Sequence, residues 1–123
     1  MAKPEDLLRL AERMADTHED EAAFRAIAHL SYYAVYHLIA RHFGLDPADR
    51  LEASHADLRA RLRGANPPSV VPRHVFAAKR VYSSLLHGRV LADYHLDAPF
   101  TGDLADQSLA QAQGVFAALR GGA

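Results

Sequence analysis

The sequence predicts an all-α fold, and three observations carry that prediction. Apolar residues recur at helical spacing in five segments, and no stretch alternates with a period of two over the length of a strand. The links between the segments are short and hold Pro, Gly, Asp or Thr, the residues that start and stop helices. Half of the 123 residues are apolar and 24% are charged, which suits one globular domain, residues 1–123, with a core that needs no covalent staple. Short links between long amphipathic helices favour an antiparallel bundle of four to five helices.

The elements follow in order. Pro4 suits a first helical turn, and Leu7, Leu8, Ala11, Met14 and Ala15 share one face, so a first helix is expected over 4–16 at the periphery of the bundle. Thr17 with Asp20 three residues on resembles a capping box for the second and longest helix, and Glu19, Asp20 and Glu21 complement the positive end of its dipole. Its stripe is Ala23, Ile27, Leu30, Ala34 and Leu38, and Gly44 stops it. Asp46 and Pro47 offer a cap and first position for a third helix carrying Leu51, Ser54, His55, Leu58 and Leu62, ended by Gly64. Asn66, Pro67, Pro68 and Ser69 form the main loop. Pro72 opens a fourth helix whose inner positions, Val75, Ala78, Tyr82, Leu85, Arg89, Ala92 and Leu96, alternate spacings of three and four until Pro99 forces its end. Thr101 or Asp103 caps the fifth, with Ala105, Leu109, Ala112, Phe116 and Leu119 facing inward. Gly121, Gly122 and Ala123 read as a frayed tail.

Composition excludes several kinds of chemistry. The absence of cysteine removes disulfides, thiolate zinc sites and thiol catalysis. Residues 1–8 include Glu5 and Asp6 and lack the order of a signal peptide, and the longest uncharged run, 26–40, is shorter than the ~20 residues of a membrane helix. A cytoplasmic protein with no membrane partner is expected. The serines at 31, 54, 83 and 84 fall on predicted helices without a nucleophile elbow, and the glycines form neither a Walker nor a dinucleotide pattern. His37 and His42 are five apart, not the four of a helical zinc pair, and Glu52 with His55 is a lone Glu-x-x-His element; neither metal nor cofactor is expected.

Two features break the ordinary pattern. Arg89 stands on the inner stripe of the fourth helix, where a guanidinium must meet a carboxylate, reach solvent or line a polar cleft; Asp93 lies four residues on. The net charge of −1 averages an acidic start with a basic middle, where Arg59, Arg61, Arg63, Arg73, Lys79 and Arg80 face only Asp57. That strip is either a solvated face or a track for a phosphate backbone, with Arg73, Lys79 and Arg80 the candidate RNA contacts. His29, Tyr33 and His37, at intervals of four, share a face of the long helix and read first as packing residues, as do Tyr32 and Tyr36.

Three segments in this order, Ala26-Ile-Ala-His-Leu-Ser-Tyr-Tyr-Ala-Val-Tyr-His37, Ser54-His55-Ala-Asp-Leu58 and Arg89-Val-Leu-Ala-Asp-Tyr-His95, resemble a HEPN domain of the small stand-alone bacterial kind, over roughly residues 22–119. The resemblance implies a helical homodimer and, in many members, a metal-independent endoribonuclease with an Arg-x(4–6)-His motif, often the toxin paired with a small nucleotidyltransferase antitoxin. Carried over, Arg89 would stabilise phosphoryl charge and His95 would act as general acid or base, with Asp93 and Tyr94 supporting them. Val90 stands where active members commonly carry a polar residue, so a non-catalytic module that binds a nucleotide or a nucleotidyltransferase is the alternative. On a straight helix Arg89 and His95 lie about 120° apart, so their convergence needs a loosened helix end or a second chain.

Overall fold

The computed structural model describes residues 2–17, 19–49, 54–64 and 71–121, and these form five helices with no strand among them. They are α1 (Pro4–Thr17), α2 (Glu21–His42), α3 (His55–Arg63), α4 (Arg73–Tyr94) and α5 (Gly102–Gly121). Helix α2 is the centre, with α1, α4 and α5 packed around it and α3 lying mainly on α4. The reason is legible in its residues: Ala23, Ile27, Ala28, Tyr32, Ala34, Val35, Leu38, Ile39 and Ala40 are all buried, so α2 is apolar around most of its circumference. Each large aliphatic side chain so enclosed contributes about 1.5–3 kcal/mol of transfer free energy. Helix α1 has a single apolar face; it buries Leu8 and Ala11 and rests on α2 and α5.

The α4 stripe is buried at every spaced position from Val75 through Ala92, Arg89 included. Leu96 is the exception and is 72% exposed, because the helix stops at Tyr94 and helical spacing says nothing beyond its end. Gly88 lets α4 and α5 approach closely, since a Cβ there would stand 2.9 Å from Ser108 Oγ.

Three helix ends differ from expectation. Asp20, not Thr17, caps α2, accepting from the Ala23 N–H at 2.8 Å, while the Thr17 hydroxyl donates back to the Arg13 carbonyl within α1. Helix α3 starts at Ser54, whose Oγ accepts from the Asp57 N–H. Asp46 instead closes a turn by accepting from the Ala48 N–H, so 45–49 is not helical; Leu51 and Glu52 lie outside the described residues. Gly121 completes α5 rather than fraying, and 122–123 lie outside the described residues, as do His18 and the loop residues Asn66, Pro67, Pro68 and Ser69. Thr101 is the α5 cap, its Oγ1 accepting from the Leu104 N–H.

Gly44 ends α2 with φ of +68°, the left-handed conformation that follows many helices. Nothing lies within 4 Å of a Cβ built there, so Gly44→Ala carries only the backbone penalty. A loss of about 1 kcal/mol in urea unfolding is expected; an unchanged midpoint would mean that the turn tolerates rearrangement.

Candidate functional site

Arg89 is the centre of the site. It is 8% exposed, held on α4 with its side chain turned toward α2. Its Nε lies 3.0 Å from Asp93 Oδ2, one turn along the helix, and its Nη2 donates to the Tyr94 hydroxyl at 3.2 Å. The Asp93 contact is an ion pair without the alignment of a hydrogen bond, so Nε is a buried donor still unsatisfied. The rings of Tyr33 and Tyr94 stand 5.3 and 5.2 Å from the guanidinium carbon, with Tyr32 at 5.9 Å beneath. Burial opposes the charge, and Tyr33, Tyr94 and Asp93 outweigh it, so the guanidinium holds its proton more firmly than usual.

Asp93 Oδ2 also lies 2.8 Å from His29 Nδ1, bringing a residue of α2 into contact with the α4 motif. The His29 side chain is 45% exposed and leans on Tyr33 with 4.8 Å between ring centroids. Below them the Tyr32 hydroxyl bonds to Tyr82 at 2.8 Å and to His55 Nδ1. The buried hydroxyls of Tyr32 and Tyr82 are thus paired with each other inside the bundle. Among the described residues no group of three His, Asp or Glu is placed to hold a metal ion.

The end of α4 is fastened by a residue the sequence reading passed over. Arg25 is buried on α2, and its Nη1 donates to the carbonyls of Leu91, Ala92 and His95 at 3.1, 3.0 and 3.2 Å. Its Nη2 donates to Ala98, and Glu21 accepts from both Arg25 and the Phe100 N–H. A cation at a helix C-terminus meets orphan carbonyls and the negative end of the dipole together. The chain leaves the helix at His95, at φ −114° and ψ 63°.

The expected site residues therefore separate. Arg89, Asp93 and Tyr94 are in mutual contact; His95 is exposed beside them, and among the described residues no hydrogen bond joins it to Arg89. Arg80 is nine residues before Arg89, about half a turn around α4. It lines a groove of about 400 Å³ with Val81, Gln111 and Gly114, on the α5 side. Arg73 is exposed at the start of α4 and Lys79 is half-buried. No helix of the described residues is long and apolar enough to cross a membrane.

Three half-buried histidines make stability depend on pH. Burial is the first cause that holds His37, His55 and His74 below the usual value of 6.5, with Arg89 adding to it at His55 and His42 and Arg41 at His74. The unfolded chain binds protons at these sites first as pH falls, so the stability present above about 6.5 is lost as pH drops through the folded values. Urea midpoints should be lower near pH 5.5 than near pH 7.5, and His55→Gln should narrow the difference. A midpoint that is flat across this range would contradict the burial of all three. Comparisons with known protein families, with curated proteins and with solved structures find no match to this chain.

Proposed function

We propose that the chain is a HEPN-type, metal-independent endoribonuclease that works as a homodimer and is the toxin of a pair whose antitoxin is a small nucleotidyltransferase. The observation that carries this reading is a guanidinium kept charged against two tyrosine rings, six residues before a histidine that has left the helix. A planar fork suits phosphoryl oxygens, and an exposed imidazole suits proton transfer. In this reading an RNA 2′-hydroxyl attacks the adjacent phosphate, Arg89 stabilises the charge that gathers on it, and His95 moves a proton. Tyr94 and Leu96, 68% and 72% exposed beside the site, offer the apolar contact through which a second copy would complete the cleft.

The test is cleavage of RNA by the purified chain in excess chelator, with cyclic phosphate ends on the products. Dependence on added metal, or identical cleavage by Arg89→Ala, would overturn the reading. One observation favours the alternative, a nucleotide- or partner-binding module: Asp93 already neutralises Arg89 within the chain. That module would bind a nucleotide or co-purify with a nucleotidyltransferase and leave RNA intact.

A further inference from the structure

We infer that His29, on α2 and outside the Arg89-to-His95 segment, is a second acid–base residue of this site and serves as its general base. The inference rests on the RNA-cleavage reading. Cleavage by a neighbouring hydroxyl needs two proton transfers, one from the attacking oxygen and one to the leaving oxygen. His95 supplies one, so a second group is required.

Three observations single out His29. Its Nδ1 is 2.8 Å from Asp93 Oδ2, so Nδ1–H donates to the carboxylate and the lone pair of the neutral ring lies on Nε2. Its side chain is 45% exposed, and no hydrogen bond to Nε2 occurs among the described residues. The same carboxylate oxygen lies 3.0 Å from Arg89 Nε, so one group orients both the base and the phosphate-binding cation. The groups that face His29 are Asp93 and, through it, Arg89 from α4, and Tyr33 from its own helix. A role in stability alone is a poor account: partly exposed ion pairs contribute about 0–1 kcal/mol, and Asp93 has Arg89 as counter-ion without it.

The step balances within the site. His29 Nε2 takes the 2′-hydroxyl proton as the O2′–P bond forms. The P–O5′ bond breaks, and the His95 imidazolium gives its proton to the 5′ oxygen. The products are a 2′,3′-cyclic phosphate and a 5′-hydroxyl, and exchange with solvent resets both rings. No electron transfer occurs.

The experiment compares His29→Gln and His95→Gln in the full-length chain on a mixed-sequence oligoribonucleotide and on 3′-(4-nitrophenyl phosphate) esters of the four nucleosides, whose leaving group needs no proton. On the oligonucleotide each variant should lose about 10²–10⁴-fold in kcat/KM. On the esters His95→Gln should recover to within about tenfold of wild type while His29→Gln stays slow, because the 2′-hydroxyl still needs its base. His29→Gln should also lose the rise of kcat/KM with pH on the acidic side. Wild-type rates for His29→Gln, or its recovery on the esters, would overturn the assignment while Arg89-dependent cleavage stood. Cleavage indifferent to Arg89→Ala would remove the underlying reading and this one with it. Matching melting curves for wild type and His29→Gln separate lost chemistry from lost fold.

Discussion

Arg25→Met is expected to destabilise the chain by about 3 kcal/mol, read as a lower urea midpoint and a melting temperature about 10 °C lower. The methionine fills similar space but leaves the carbonyls of Ala92 and Ala98 without their donor, Leu91 and His95 with only the N–H groups of His95 and Ala98, and Glu21 without its counter-ion. Each enclosed carbonyl so stranded costs roughly 1–3 kcal/mol, reduced where water can enter. Arg25→Lys keeps the charge but not the fork, so it should fall between wild type and methionine. A loss under about 1 kcal/mol for methionine would mean that water satisfies the end of α4 as well as the guanidinium does. Because the same contacts set the backbone of His95, RNA cleavage should fall in Arg25→Met even where the chain is still folded.

Arg89→Ala has the opposite profile. RNA cleavage should drop by about 10³-fold or more, as removal of a preorganised charge does, and growth arrest on induction in bacteria should disappear. Stability should change by only about 1–2 kcal/mol, because Asp93 keeps its hydrogen bond to His29 and the Tyr32–Tyr82 pair below is untouched. Arg89→Lys should not restore activity, since a point charge cannot take two phosphoryl oxygens in one plane. Equal growth arrest from wild type and Arg89→Ala would remove the toxin reading.

Local information reached far along this chain. The spacing from Val75 to Ala92 marked the inner face of α4 and placed Arg89 on it, and its burial follows the same arithmetic that buries Tyr82 and Leu85. It failed where two candidates had equal local merit. Asp46 and Ser54 are both good caps, and so are Thr17 and Asp20; Ser54 and Asp20 are the ones that accept the opening N–H bonds of α3 and α2, and residue type alone does not rank the candidates. Leu96 escapes the stripe because helical periodicity carries no information past the helix end that Arg25 holds.

Alone, the sequence determined the all-α class, the five apolar segments, the inner stripe of α4 and the conflict that Arg89 creates on it. All of these are properties of neighbours along the chain, where the helical repeat decides which side chains share a face. Only the tertiary structure decided what Arg89 and the end of α4 meet. The contacts of His29 with Asp93 and of Arg25 with His95 join residues 64 and 70 positions apart, set by how α2 lies against α4. That register is fixed by packing volume between two helices, and helical spacing within either one carries no record of it.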